Sequence, residues 1–187
     1  ISAMLVAGCH GVDALRWFAE TGPEGAAVAE EVTALSGGLR RGSDLEYDAE
    51  SHDWRRGAPP MEYDGLEVAL VRFSNGCIGK VCTNCEAVMP YRFPLRIFGS
   101  RGSIFDNRIW SHKFSGQNDW IELPTILPDS RDVTHHPFQG EIDHFVECLR
   151  SDVESHCNLE DAVRTHEIIF AALDSEKSGA RVRLPLL

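Results

Sequence analysis

The chain has 187 residues, 43% of them hydrophobic and 25% charged, enough for one domain with a real core and outside the disordered and membrane classes. Its formal charge of -11, from 29 acidic and 18 scattered basic residues, would repel a phosphate backbone and sets nucleic acid aside as a partner. No apolar run approaches the roughly 20 residues of a membrane-spanning helix, and the six cysteines lie mostly in apolar runs, as reduced thiols of a cytoplasmic protein do. The chain opens on Ile1 with no basic leader. It reads as a stretch cut from something longer, with no targeting signal.

Residues 5–18 read as a helix. Leu5, Val12, Leu15 and Phe18 form an apolar stripe, and His10, Asp13, Ala14 and Trp17, at i, i+3, i+4 and i+7, mark a neighbouring face able to do chemistry. The alternative for His10 and Asp13 is a solvated or hydrogen-bonded pair. Gly8 costs about 1 kcal/mol against Ala inside a helix, so it marks a close approach of another backbone or of a flat ligand. Thr21-Gly22-Pro23 ends the helix.

Residues 31–36 read as a strand, and 39–64 as a long polar loop with little periodicity. Two apolar runs, 66–73 and 77–87, flank Ser74-Asn75-Gly76, a hairpin signal. Further strands are expected at 92–98, 103–106, 109–114 and 120–123. Two helices follow, with stripes at Phe138, Ile142, Phe145, Val146 and Leu149, and at Leu159, Ala162, Val163, Ile169, Phe170 and Leu173. Asn158 is placed to cap the second and Gly179 to end it, before an edge strand at 181–184. Runs joined by short turns without intervening helices imply an antiparallel sheet. The expected fold class is α+β over a single domain, 1–187: a predominantly antiparallel open sheet of about six to eight strands with helices packed on one face. Both faces of 66–73 are apolar, so the uncovered face is expected to meet another subunit, or else to lie under the 39–64 loop.

Neither G-x-G-x-x-G nor G-x-x-x-x-G-K-[ST] occurs, so no Rossmann domain is expected within this chain. G-x-S-x-G and H-E-x-x-H are also missing. Cys82-Thr-Asn-Cys85 has the spacing of a metal knuckle, but in a strand its two thiols point to opposite faces, and no metal site is expected. Tyr91 and Arg92 after the hairpin, and His136 in a loop, are candidates for a cleft that takes a small-molecule substrate; the plainer alternative is a surface anchor.

His10-x-x-Asp13-x-x-x-Trp17, Val68-Ala-Leu-Val-Arg-Phe-Ser-Asn-Gly76, Leu95-Arg-Ile-Phe-Gly-Ser-Arg-Gly102, His136-Pro-Phe-Gln-Gly-Glu-Ile-Asp-His-Phe145 and Leu159-Glu-Asp-Ala-Val-Arg164 follow one another in this order. The series resembles the C-terminal domain of the Gfo/Idh/MocA oxidoreductases, the glucose-fructose oxidoreductase and inositol dehydrogenase family, over nearly the whole chain. The resemblance implies a parent enzyme whose N-terminal Rossmann domain binds NAD or NADP, while this domain supplies substrate contacts and an oligomer interface. No cofactor is expected for this chain alone. Hydride would pass between the nicotinamide and a carbon bearing a hydroxyl, on a sugar, polyol or related compound, with an imidazole taking the hydroxyl proton.

By position His10 matches the histidine of the family's D-x-G-x-H pattern, and so the catalytic residue, while Gly8 matches its glycine on the cofactor side. The aspartate of that pattern falls on Val6, which can neither hold a hydroxyl nor tune an imidazole. Asp13 matches a later acidic position, on the substrate side or as an anchor for the helix. The lysine of the family's E-K-P motif belongs to the N-terminal domain. A competing expectation is a non-catalytic dimerisation or ligand-binding scaffold derived from the family.

Overall fold

The computed structural model describes residues 1–21, 27–38, 43–48, 53–57, 62–87, 92–124 and 138–186. In chain order the elements are a π turn (Met4–Gly8), α1 (Cys9–Glu20), β1 (Ala29–Gly37), β2 (Leu45–Asp48), β3 (Asp53–Arg56), β4 (Leu66–Phe73), β5 (Ile78–Asn84), β6 (Arg96–Gly99), β7 (Gly102–Phe105), β8 (Arg108–Ser111), β9 (Ile121–Glu122), α2 (Phe138–Ser151), α3 (Leu159–Ser178) and β10 (Val182–Arg183). The chain divides into two compact units, Ile1–Val88 with His144–Leu187, and Met89–Asp143.

In the first unit four antiparallel strands stand in the order β10-β1-β4-β5. Alternation along β4 turns Glu67, Ala69, Val71 and Phe73 to the buried face, where Val32, Val81, Val12 and the α3 residues Ile168, Ile169, Ala171 and Ala172 complete the core. Burying a side chain the size of Phe73 is worth about 2–3 kcal/mol. The β4–β5 turn is a three-residue loop: the Phe73 N–H donates to Cys77 O at 3.0 Å, and Gly76 takes the left-handed position at φ 83°. The Asn75 side chain donates to Ala19 O at 3.0 Å, so the turn also holds the end of α1.

Helix α1 lies close on β5 because glycines remove the bulk between them. A Cβ at Gly8 would stand 2.3 Å from Thr83 Oγ1, one at Gly11 3.2 Å from Val81 Cγ1, and one at Gly79 2.3 Å from Leu15 Cδ1. Helix α3 starts where Asn158 accepts from the Asp161 N–H at 2.9 Å and ends at Gly179, φ 66°. The short β10 pairs only with Glu31 and Val32, and the Ala34 N–H donates to Ser175 Oγ of α3 at 3.0 Å.

The second unit holds β6-β7-β8-β9, again antiparallel. Its register lines up Ile97, Ile104, Ile109 and Ile121 on one face. On the other, Phe105 meets Phe98 and Trp120 edge-on at 5.4 and 5.2 Å, with the Arg96 guanidinium 5.2 Å from the Phe105 ring.

The α+β, antiparallel, open-sheet reading is what the fold shows, with four corrections. One expected sheet is two four-stranded sheets, since period-2 runs do not say which strands become neighbours. Part of the 39–64 loop forms an antiparallel ribbon in which β2, Leu45–Asp48, pairs with β3, Asp53–Arg56; strands of four residues are too short to show a period in the sequence. The α2 stripe is not buried: Phe138 is 47% exposed, Ile142 56%, Phe145 59% and Leu149 67%. In α3 the buried face is Thr165, Ile168, Ile169, Ala172 and Ser175, while Leu159, Val163 and Phe170 are exposed; two buried hydroxyls displace the apparent stripe.

Candidate functional site

The π turn and the first turns of α1 are held from three sides. From the sheet, the buried Glu67 carboxylate accepts the Ala3 N–H at 3.0 Å and the Met4 N–H at 2.5 Å, placing negative charge where helix N-terminal amides leave partial positive charge. From β5, Thr83 Oγ1 donates to Met4 Sδ at 3.6 Å. From α3, Asp161 and Thr165 hold Arg16 of α1, which is 2% exposed and fills all five of its donors: Nε and Nη2 to Glu20 of its own helix at 3.1 Å, Nη2 to Asp161 Oδ1 at 3.0 Å, and Nη1 to Asp161 O at 2.9 Å and Thr165 Oγ1 at 2.6 Å.

On this anchored helix His10 is exposed, with Val6 one turn earlier 57% exposed and Trp17 two turns later 64% exposed. The imidazole therefore faces outward from a backbone that cannot shift easily. A π turn at the head of a helix re-aims the residues it carries and recurs at functional sites. Imidazoles exchange protons near neutral pH, so the arrangement can serve as acid or base toward a ligand hydroxyl.

The other expected site residues fare differently. Gly8 is buried, and the volume a Cβ would need is filled by Thr83 and Met4. The close approach that its sequence context signals is with β5. Asp13 lies on the first turns of α1, half exposed, accepting from Thr165 Oγ1 at 2.8 Å and standing 3.6 Å from Arg16 Nη1, so it ties α1 to α3. Arg92 is exposed in the second unit. Tyr91 and His136 lie outside the described residues.

Two carboxylates beneath the site were not singled out from sequence. Glu67 sits at an alternation position that reads as core, and Glu176 on α3 has one oxygen, Oε1, buried without a hydrogen-bond partner among the described residues. Burial first, then the charges of Glu67 and Asp64, push the Glu176 carboxyl up to about 7. Cys82 is exposed, and burial followed by Glu67 and Glu86 pushes the Cys85 thiol up, which opposes the thiolate form a metal requires. Among the described residues no group of three or more His, Cys, Asp or Glu is placed to hold a metal ion.

Residues 3–184 match the model of the oxidoreductase family C-terminal alpha/beta domain of Gfo/Idh/MocA proteins. The chain is 28% identical over 131 residues to the scyllo-inositol 2-dehydrogenase (NAD(+)) of Bacillus subtilis (strain 168), covering 67% of this chain and 38% of that one. Among solved structures it resembles an oxidoreductase domain protein from Kribbella flavida, with a TM-score of 0.72 at 15% identity over 98% of this chain and 51% of the other. It also resembles the WlbA dehydrogenase from Bordetella pertussis in complex with NADH and UDP-GlcNAcA, with a TM-score of 0.62 at 20% identity over 100% of this chain and 46% of the other. At these identities the structural likeness speaks for the fold, and the chain spans between 38% and 51% of the length of these relatives. With the family model matched over almost its whole length, on the same stretch that carries His10 outward, the chain belongs to the Gfo/Idh/MocA oxidoreductase family as its C-terminal alpha/beta domain.

Proposed function

We propose that this chain is the substrate-side part of a nicotinamide-dependent oxidoreductase acting on a hydroxyl of a sugar, polyol or related compound, inactive without an N-terminal cofactor domain. The observation that carries the reading is His10, exposed on a helix whose remaining faces are pinned by Glu67, Thr83 and Arg16. The Bacillus relative, by its name an inositol dehydrogenase using NAD+, and the NADH held by the Bordetella structure support the chemical class and NAD as the first cofactor to try, NADP being the other. When bound, a nicotinamide supplies or accepts the hydride. His10 gives or takes the hydroxyl proton, Val6 offers apolar surface, Gly8 lets the turn settle on β5, and Asp13 fixes the helix. Arg92 and, outside the described residues, Tyr91 and His136 remain candidates for substrate contacts.

In a protein that joins this chain to its cofactor domain, His10→Asn lowers kcat by about a hundredfold or more with KM little changed, read by nicotinamide absorbance. A near-normal kcat removes His10 from the chemistry. A second reading, a non-catalytic binding scaffold, is favoured by one observation: Val6 is exposed where the family pattern has its aspartate. Val6→Asp separates the two, since a working site gains or loses turnover with that carboxylate and a scaffold has none to change. The bare sheet face, where Leu35 is 74%, Leu70 47% and Ile78 66% exposed, is proposed to meet a second copy in the cytoplasm. Sedimentation showing only monomer counts against it.

A further inference from the structure

The turn that leads into the His10 helix opens with four amides, and each has a partner. The Leu5 N–H donates to Ser2 Oγ at 3.0 Å and the Val6 N–H to Ser2 O at 3.1 Å, while the Ala3 and Met4 N–H groups both donate to the buried carboxylate of Glu67. A second carboxylate comes to the same end of the sheet. Ser36 is the β1 partner of Glu67, and Ala34, two residues earlier on the same face of β1, donates to Ser175 Oγ, so residues 175 and 176 of α3 stand over this strand end. The Glu67 charge is met by two helix N-terminal amides. Glu176 has nothing of the kind: its Oε1 is buried without a hydrogen-bond partner among the described residues, and burial, then the charges of Glu67 and Asp64, raise its carboxyl to about 7 against an opposing pull from Lys177. The other titratable groups nearby are Asp64, which accepts from Ser36 Oγ at 3.0 Å, Cys85 and Glu86 after β5, and the Ile1 amino group two residues before Ala3.

We propose that Glu67 and Glu176 form a proton-linked clamp on the π turn, closed while Glu176 holds its proton and loosened once that proton has gone to solvent. With Glu176 neutral, the Glu67 charge faces only the amides it binds. When Glu176 ionises, two carboxylates share one buried strand end, and their repulsion is relieved as Glu67 withdraws from Ala3 and Met4. The turn then opens while the core stays folded. Both are positioning residues, acting on Val6 and His10 through the turn that carries them. The inference rests on the reading of His10 given above for its bearing on chemistry. Amide exchange reads the clamp without turnover, so either idea can fail with the other intact.

The test is hydrogen exchange of single backbone amides in the folded 187-residue chain, followed by NMR at about pH 5.5 and about pH 8.5, on either side of the Glu176 titration, and corrected for intrinsic rates. The expected result is a drop of about tenfold in the protection of Ala3 and Met4 at the higher pH. Gly76, which donates to Phe73 O at the far end of β4, keeps its protection unchanged. Glu176→Gln holds Ala3 and Met4 at their high protection at both pH values. Glu67→Gln leaves them less protected at both, with no drop, because the charge that Glu176 repels is gone. The Ile1 amino group titrates in all three chains and cannot produce such a difference. The proposal is overturned if protection of Ala3 and Met4 does not change with pH, if the drop survives either substitution, or if Gly76 falls with them. It is equally overturned if Met4 exchanges as slowly as Ile169 of the core at every pH, since the turn then opens only when the whole chain unfolds. Should Glu67→Gln fail to fold, seen as lost protection at Ile169, Glu176→Gln at its partly exposed position decides alone.

Discussion

Helices α1 and α2 carry comparable amphipathic patterns, yet α1 buries Val12, Arg16 and Ala19 while α2 has no buried residue and leaves Phe145 and Leu149 more than half exposed. The difference lies in what each meets. Gly8 at the end of the π turn, Gly11 on α1 and the facing Gly79 let the helix descend onto β5, and Arg16 locks it to α3. For α2 the described residues show no such seat. Helical periodicity therefore states that a face exists, and only packing says whether it is covered.

The comparison is most easily broken at Arg16. Arg16→Met leaves Asp161, Glu20 and Thr165 facing one another without their cation, and should cost about 3–5 kcal/mol in thermal or denaturant unfolding. An unfolding midpoint equal to that of the parent chain would mean the five hydrogen bonds contribute nothing net. Next comes Glu176. Its carboxyl, raised from 4.5 to about 7, keeps a proton in the folded state over a window where the unfolded chain has lost it. Stability accordingly falls as pH rises through that window, and the penalty is complete above it. Glu176→Gln should flatten that slope and, above the window, stabilise by about 1 kcal/mol, a figure reduced for the water that reaches this partly exposed group. An unchanged slope would place the titration elsewhere. The smallest effect belongs to α2: Leu149→Ser, at a 67% exposed position, should move stability of the chain by no more than about 0.5 kcal/mol. A loss of several times that amount would show that the stripe is packed after all.

Much of the scaffold was legible because its signals are local. The Asn75-Gly76 turn, the Asn158 cap and the Gly179 stop each act over a few residues, and each is where the sequence put it. The exposure of His10 and Trp17 on one face of α1 was legible as well, since their spacing depends only on the helical period, whereas Asp13 of the same pattern turned out to bond to Thr165 of α3. The β2–β3 ribbon, the division into two sheets and the buried role of Arg16 were not, because a charged residue at an apolar-face position looks like noise until its partners are known.

By itself, then, the amino-acid order determined most of the strands and helices, the family resemblance, the place of His10 near the start of a helix, and the valine that stands where an acidic partner is expected. The tertiary structure decided which faces are covered and which charges are buried. Periodicity is written within a few residues of chain, whereas Arg16 finds Asp161 across 145 residues and Ala3 finds Glu67 across 64, contacts that exist only once the core has closed.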